Sequence, residues 1–284
     1  MDVLLRKLPK DYIDNTLIPT LITLEKQTEI LGNIEQQYRF SYAHGRCSYF
    51  FGIFRFDLNR DVRAVAFLLA IGFDVNQINE LKSAGRLTEK QFGKLNRQLK
   101  SALVKHTQQG AFHRNPALQE FYTAQGRVLV SRLQTALDTI GLAKPDIADQ
   151  ILRSKDLQLR LLDFANQFSL DSRTPIVQWL CGQPVAQTTS LSAGHILTGE
   201  DISRFVMGMH EGEQDNETYQ QQATERLDVL NKFMDSLTKI ESAQSVAQEL
   251  PDIPQPPKKT KTSPRRKTPV KTASTTLTDQ DPSS

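Results

Sequence analysis

Long apolar runs, cysteine pairs, metal-binding histidine patterns and nucleotide loops are all missing from these 284 residues. No apolar run approaches the roughly 18 residues of a membrane span, which excludes stable insertion by a helix of that kind. The two cysteines, Cys47 and Cys181, are far apart. They form neither a disulfide framework nor a metal-ligand pair, so reduced thiols are expected. The five histidines (His44, His106, His113, His195, His210) show no HExxH or His/Cys spacing, and neither a metal nor another cofactor is expected. No serine sits in a nucleophile elbow and no glycine-rich phosphate loop occurs. The start, Met1-Asp-Val-Leu-Leu-Arg-Lys, meets charge too soon for a secretory signal, which predicts synthesis in the cytoplasm.

What is present is the composition of a globular protein, 38% hydrophobic and 24% charged, long enough to bury a sizeable core. The net charge of +3 is unevenly distributed. Residues 251–284 hold seven basic side chains (Lys258, Lys259, Lys261, Arg265, Arg266, Lys267, Lys271) against three acidic ones, a balance of +4, leaving −1 for residues 1–250. The basic character therefore belongs to the tail and does not argue for a nucleic-acid-binding domain. From about Glu249 the chain is rich in Pro, Ser and Thr and poor in large apolar residues, the composition of a segment that cannot pack a core. The expected organisation is a mainly α domain over 1–248 with a small hairpin at about 38–58, followed by a disordered basic tail over 249–284.

Helical signals are well punctuated. Ile13, Leu17, Ile18, Leu21, Ile22 and Leu24 predict a helix between Tyr12 and Leu31, with Pro19 marking a kink or its true start. Asp74 with Gln77, and Thr88 with Gln91, have the spacing of capping pairs. Asn115-Pro116 opens a long helix closed by Gly141, and Pro145 starts a short one. Leu157 to Phe168 makes another, Thr174-Pro175 begins one that ends at Gly182, and Thr198 with Asp201 caps the next. The last runs from about Thr218 to Ile240. Trp179, beside Ile176 and Leu180, reads as core. His210-Glu-Gly-Glu213 reads as the turn between two helices. Gln183–Gly194 is the longest internal connection.

Residues 38–58 differ in kind. Tyr38, Phe40 and Tyr42 alternate with polar neighbours, His44-Gly45-Arg46 supplies a turn, and Tyr49-Phe50-Phe51 follows, which predicts a hairpin. Glu35 stands seventeen residues before Gly52 in the stretch Ser48-Tyr49-Phe50-Phe51-Gly52-Ile53-Phe54-Arg55-Phe56-Asp57. This stretch resembles the lysozyme-like glycoside hydrolases, in particular phage-type and effector-type muramidases and lytic transglycosylases. They carry a catalytic Glu at the end of a helix, a small hairpin, and a strand of the form Ser-(Phe/Tyr)-Gly-x-x-Gln-x-Asp. The resemblance implies a peptidoglycan-cleaving hydrolase or lytic transglycosylase with a lysozyme-like helical fold. Glu35 would be the general acid and Asp57 would stabilise charge developing on the sugar. Tyr38, Tyr42, Tyr49, Phe51 and Arg55 would face the substrate.

The chemistry behind that assignment is specific. Glycosidic cleavage needs a carboxylic acid still protonated near neutral pH, and apolar walls achieve this by disfavouring the charged form. Three residues depart from the pattern: Arg55 stands where Gln is usual, Phe50 where a small residue is common, and Gln36 follows Glu35 where glycine or a small residue is common. A permanent cation in the cleft floor would hold the acid ionised, or would bind a carboxylate of a peptide stem. The alternative is thus a catalytically inactive lysozyme-like interaction or secreted effector protein. Either reading requires delivery to the periplasm, cell wall or a host cell by another route, with the basic tail offered to a secretion or delivery partner. Nucleic acid has only the tail to bind.

Overall fold

In a computed structural model, residues 13, 15–29, 33–43, 48–82, 86–105, 116–185, 190–211 and 217–248 are described. The turn expected at His44–Arg46, Cys47, His106, His113 and the tail from 249 lie outside the described residues. By internal contacts the chain divides into two units, Met1–Ile240 and Glu241–Ser284. The architecture is mainly α, with one small antiparallel sheet in the first unit.

The first helix, α1 (Leu17–Thr28), begins two residues before Pro19, so the proline lies in its first turn, where a missing N–H costs nothing. A short 3-10 turn, Ile34–Tyr38, leads into strands β1 (Phe40–Ala43), β2 (Ser48–Phe51) and β3 (Phe56–Asp57), ordered β1-β2-β3. Then follow α2 (Val62–Ala70), α3 (Val75–Lys82) and α4 (Glu89–Lys105). Asp61 caps α2 by accepting from the Arg63 and Ala64 N–H groups. The Asp74/Gln77 and Thr88/Gln91 pairs form reciprocal caps as their spacing predicts.

The helical layer continues with α5 (Pro116–Ala143), α6 (Pro145–Arg153), α7 (Lys155–Gln167), α8 (Pro175–Leu180), α9 (Gly199–Glu211) and α10 (Glu217–Gln248). Helix α5 runs past Gly141 to Ala143 because Lys144 and Pro145, not the glycine, force the break. Gly182, at φ +78°, ends the turn after α8. Helix α9 extends through His210 and Glu211, beyond the turn expected there. Helix α10 continues past Ile240 to Gln248, and residues 241–248 are all that is described of the second unit.

Helix α7 is buried over most of its length. Leu157 to Ala165 are all buried, so its polar members must find partners inside the protein. Gln158 donates to the Ile151 and Leu152 carbonyls, closing α6 onto α7. Arg160 reaches Asp156, Ser203 and Asn231, tying α7 to α9 and α10. Trp179 is buried against Phe205, 4.8 Å between ring centres, as its apolar neighbours predict.

Helices α1 and α5 approach closely at Gly126. A Cβ there would stand 2.8 Å from Ile18 Cγ2, and Ile18 is itself buried in the core. Gly126→Val should therefore lower stability in urea by about 1–3 kcal/mol. Unchanged or increased stability would show that the two helices have room to separate.

Candidate functional site

Sheet register decides which residues of the aromatic segment meet. Phe40 pairs with Phe51 and Tyr42 with Tyr49, so these four rings share one face. That face is the core side: Phe40, Tyr49 and Phe51 are buried, and Phe51 stacks with Phe67 and Phe121. The Tyr49 hydroxyl accepts from the Leu87 N–H at 2.8 Å, which satisfies its oxygen inside the fold. Tyr38 is also buried, and burial pushes its phenol pKa up. Tyr42 is half-buried, 4.9 Å from Tyr49. Asp57 pairs with Phe50 and so belongs to the opposite face. The sheet thus separates Asp57 from Tyr42, Tyr49 and Phe51 instead of gathering them around one ligand.

Glu35 lies in the 3-10 turn, beyond the end of α1. Its side chain is 50% exposed and its Oε2 accepts from Lys100 Nζ at 2.6 Å. This is the geometry of a surface ion pair between the turn and α4.

The carboxylate at the end of α1 is Glu29, its C-cap residue. It is nearly inaccessible, and both of its oxygens are engaged: Oε1 accepts from Arg226 and Oε2 from Arg55. Glu25, one turn earlier, is fully buried. Its Oε2 accepts from Asn166 Nδ2 at 2.7 Å and Arg226 at 3.3 Å, while Oε1 has no hydrogen-bond partner among the described residues. Asp163 accepts from Arg226 at 2.6 Å and faces the Thr28 hydroxyl at 3.5 Å. Three carboxylates thus surround two guanidinia, and ionising all three would leave one uncompensated negative charge.

Burial, with the neighbouring acids, pushes Glu25 well above the ordinary carboxyl range. Asp163 is pushed up by burial too, partly offset by Arg226. Burial alone would lower Arg226, but Asp163, Glu29 and Glu25 hold it above its ordinary value. Glu25 is the group whose free oxygen is placed to carry the extra proton.

Beside this cluster runs a groove of about 530 Å³. Its walls are Phe54, Arg55 and Asp57 from the sheet and the turn before β3, Arg60 to Arg63 at the start of α2, Gln125, Val128, Leu129 and Arg132 on α5, and residues 165–171 at the end of α7. Asp57 and Arg55 therefore line it; Glu35, Tyr38, Tyr42, Tyr49 and Phe51 do not. Asn166 connects groove and cluster, donating to Glu25 and to the Ile53 carbonyl. Among the described residues, no group of three or more His, Cys, Asp or Glu side chains is arranged to hold a metal ion. No protein-family model, no curated protein and no solved structure matches the chain.

Glu25, Glu29, Asp163 and Arg226 have no place in the aromatic motif, yet their positions carry a signal. Glu25 and Glu29 continue the apolar stripe of Ile18 and Ile22 at helical spacing, and Arg226 falls between Ala223 and Leu230 on the buried side of α10. Charged residues on an apolar stripe are buried and must pair.

The cluster predicts a pH-dependent stability. In the unfolded chain these acids ionise near pH 4. The folded chain retains a proton above that, so it binds more protons than the unfolded chain, and stability falls as pH rises through this interval. The thermal midpoint of the wild type should decline from about pH 5 upward, and Glu25→Gln should flatten the decline. Arg226→Met, which strands the carboxylates, should cost about 3–5 kcal/mol in urea. A midpoint that rises with pH in this range would show that the cluster holds no extra proton.

Proposed function

We propose that the chain is a lysozyme-like polysaccharide-binding protein without glycosidase chemistry, an interaction or effector protein directed at peptidoglycan or a related polymer. The observation that carries this reading is the state of Glu29. In the related enzymes the acid follows a helix and offers a proton to the leaving oxygen. Here the carboxylate in that position gives both oxygens to guanidinium N–H groups, one of them from Arg55, the residue that replaces the family's glutamine. Neither oxygen is free to face a sugar. Glu35 is in solvent beside Lys100, and Glu25 has the raised pKa of an acid but no surface of its own.

Binding survives this arrangement. The groove keeps a length of wall, amide groups at Asn166 and Gln167, and the carboxylate of Asp57, whose Oδ1 accepts from the Asn59 N–H at 2.9 Å. Delivery to the wall or to a host cell, and a partner that reads the basic tail, belong to the same proposal.

The second reading, a hydrolase or lytic transglycosylase, has one point of support. Glu29 ends a helix beside the turn of the resembling strand, as the family's acid does, and the Arg55 side chain that blocks it is half-exposed. One series separates the two. Purified peptidoglycan is tested for clearing at about pH 5–8 and for co-sedimentation with wild type, Glu29→Gln and Glu35→Gln. The expected result is no clearing by any of the three, with the wild type pelleting with the polymer. Clearing by wild type that Glu29→Gln abolishes would replace the binding reading with the enzymatic one, and loss in Glu35→Gln alone would return the acid to position 35. Because the Glu35–Lys100 pair is exposed, Glu35→Gln should change stability by no more than about 1 kcal/mol.

A further inference from the structure

We propose that the groove between α2, α5 and the α7–α8 connection binds an acidic polysaccharide through the guanidinia of Arg63, Arg127 and Arg132. The inference rests on the reading of the groove as a polysaccharide site, and adds the charge of the polymer and the residues that sense it.

A second cavity of about 520 Å³ adjoins the first and shares Arg63, Val128, Arg132, Leu170 and Asp171 with it. The joined space is far larger than one small anion fills, and suits an extended chain. Arg63 stands on α2 and the other two arginines on α5, so cations reach the groove from two walls. Arg127 and Arg132 are about 7.5 Å apart along the helix axis.

All three arginines are exposed, and among the described residues none has a carboxylate within ion-pair distance. Other arginines do hold acidic partners: Arg55, Arg60, Arg153, Arg160, Arg204 and Arg226. The nearby acids are occupied by other donors. Asp61 accepts from two α2 N–H groups and from Gln125. Asp171 accepts from the Ser169 hydroxyl and the Arg173 N–H. A concave wall with free cations and hydrogen-bonded anions attracts negative ligands. The planar guanidinium fork fits a carboxylate with two parallel N–H···O bonds.

The lining argues for sugar acid over nucleic acid. The aromatic rings on the groove are Phe54, which is buried, and Phe168, turned 4.8 Å from Phe164. Phe54 is closed to an unpaired base, and Phe168 is already packed against Phe164. Ser131 and Thr135 line the second cavity together with Arg127 and Arg132 and supply hydroxyls at the rim.

The test is calorimetric titration of the full chain with an oligogalacturonate, with a dextran oligomer of equal length, and with single-stranded DNA of equal charge. Two variants accompany wild type: a groove triple variant (Arg63→Gln, Arg127→Gln, Arg132→Gln) and a tail variant (Lys258→Gln, Lys259→Gln, Arg265→Gln, Arg266→Gln). The expected result is binding of oligogalacturonate that weakens with added NaCl, no binding of dextran, at least a tenfold loss in the triple variant, and no change in the tail variant. The triple variant should keep the wild-type thermal midpoint, since its substitutions are on the surface. Equal binding of dextran, an unaffected triple variant, loss in the tail variant, or tighter arginine-dependent binding of DNA would each overturn the proposal. Peptidoglycan co-sedimentation without oligogalacturonate binding would overturn this inference and leave the polysaccharide reading standing; failure of both would end both.

Discussion

The guanidinium of Arg226 joins α1, α7 and α10 by contacting Glu25, Glu29 and Asp163 where water has almost no access. Most of the site follows from that contact. The buried carboxylates cannot lose that arginine without leaving negative charge unbalanced in a medium that screens it poorly. The carboxylates are bound by the same constraint, and so Glu29 is committed to structure with both oxygens. A residue that would be free to do acid chemistry in an open cleft is here part of the joint that fixes three helices.

Groove and joint are two sides of one wall. Arg55 reaches inward to Glu29 while lining the groove, and Asn166 donates to Glu25 from the same surface. A ligand in the groove therefore meets side chains whose positions are set by the buried ion cluster behind them. Such backing favours rigid recognition, because the groups facing the ligand are held by partners that cannot relax independently. Arg55 serves both sides at once: it lines the groove and occupies one oxygen of Glu29.

The helices were largely legible from sequence because caps and breakers act locally. The Thr88/Gln91 and Asp74/Gln77 pairs, Pro145, and Gly182 mark their ends through bonds made within a few residues. The hairpin was legible for a similar reason, since alternation of aromatic and polar residues is a property of one strand. Its register was not, and the register sends Tyr49 and Phe51 into the core and Asp57 to the other face. The end of α1 at Thr28, short of the expected Leu31, had no such local mark: Glu25 and Glu29 there contact residues more than a hundred positions away. Polar residues inside apolar stripes were the available clue to that burial. The length of α10, eight residues beyond Ile240, has no sequence signal comparable to the caps elsewhere.

Arg55 has a φ of +45°, the one positive value among the described residues other than glycine. A left-handed backbone costs a side chain with a Cβ about 1–2 kcal/mol, and glycine or asparagine would close the turn with less strain. What the strained torsion supplies is direction. With the peptide in this setting the guanidinium lies 5.8 Å from the Phe50 ring centre and meets Glu29 on α1. A cation grafted one position along the turn would carry the same charge and miss that carboxylate.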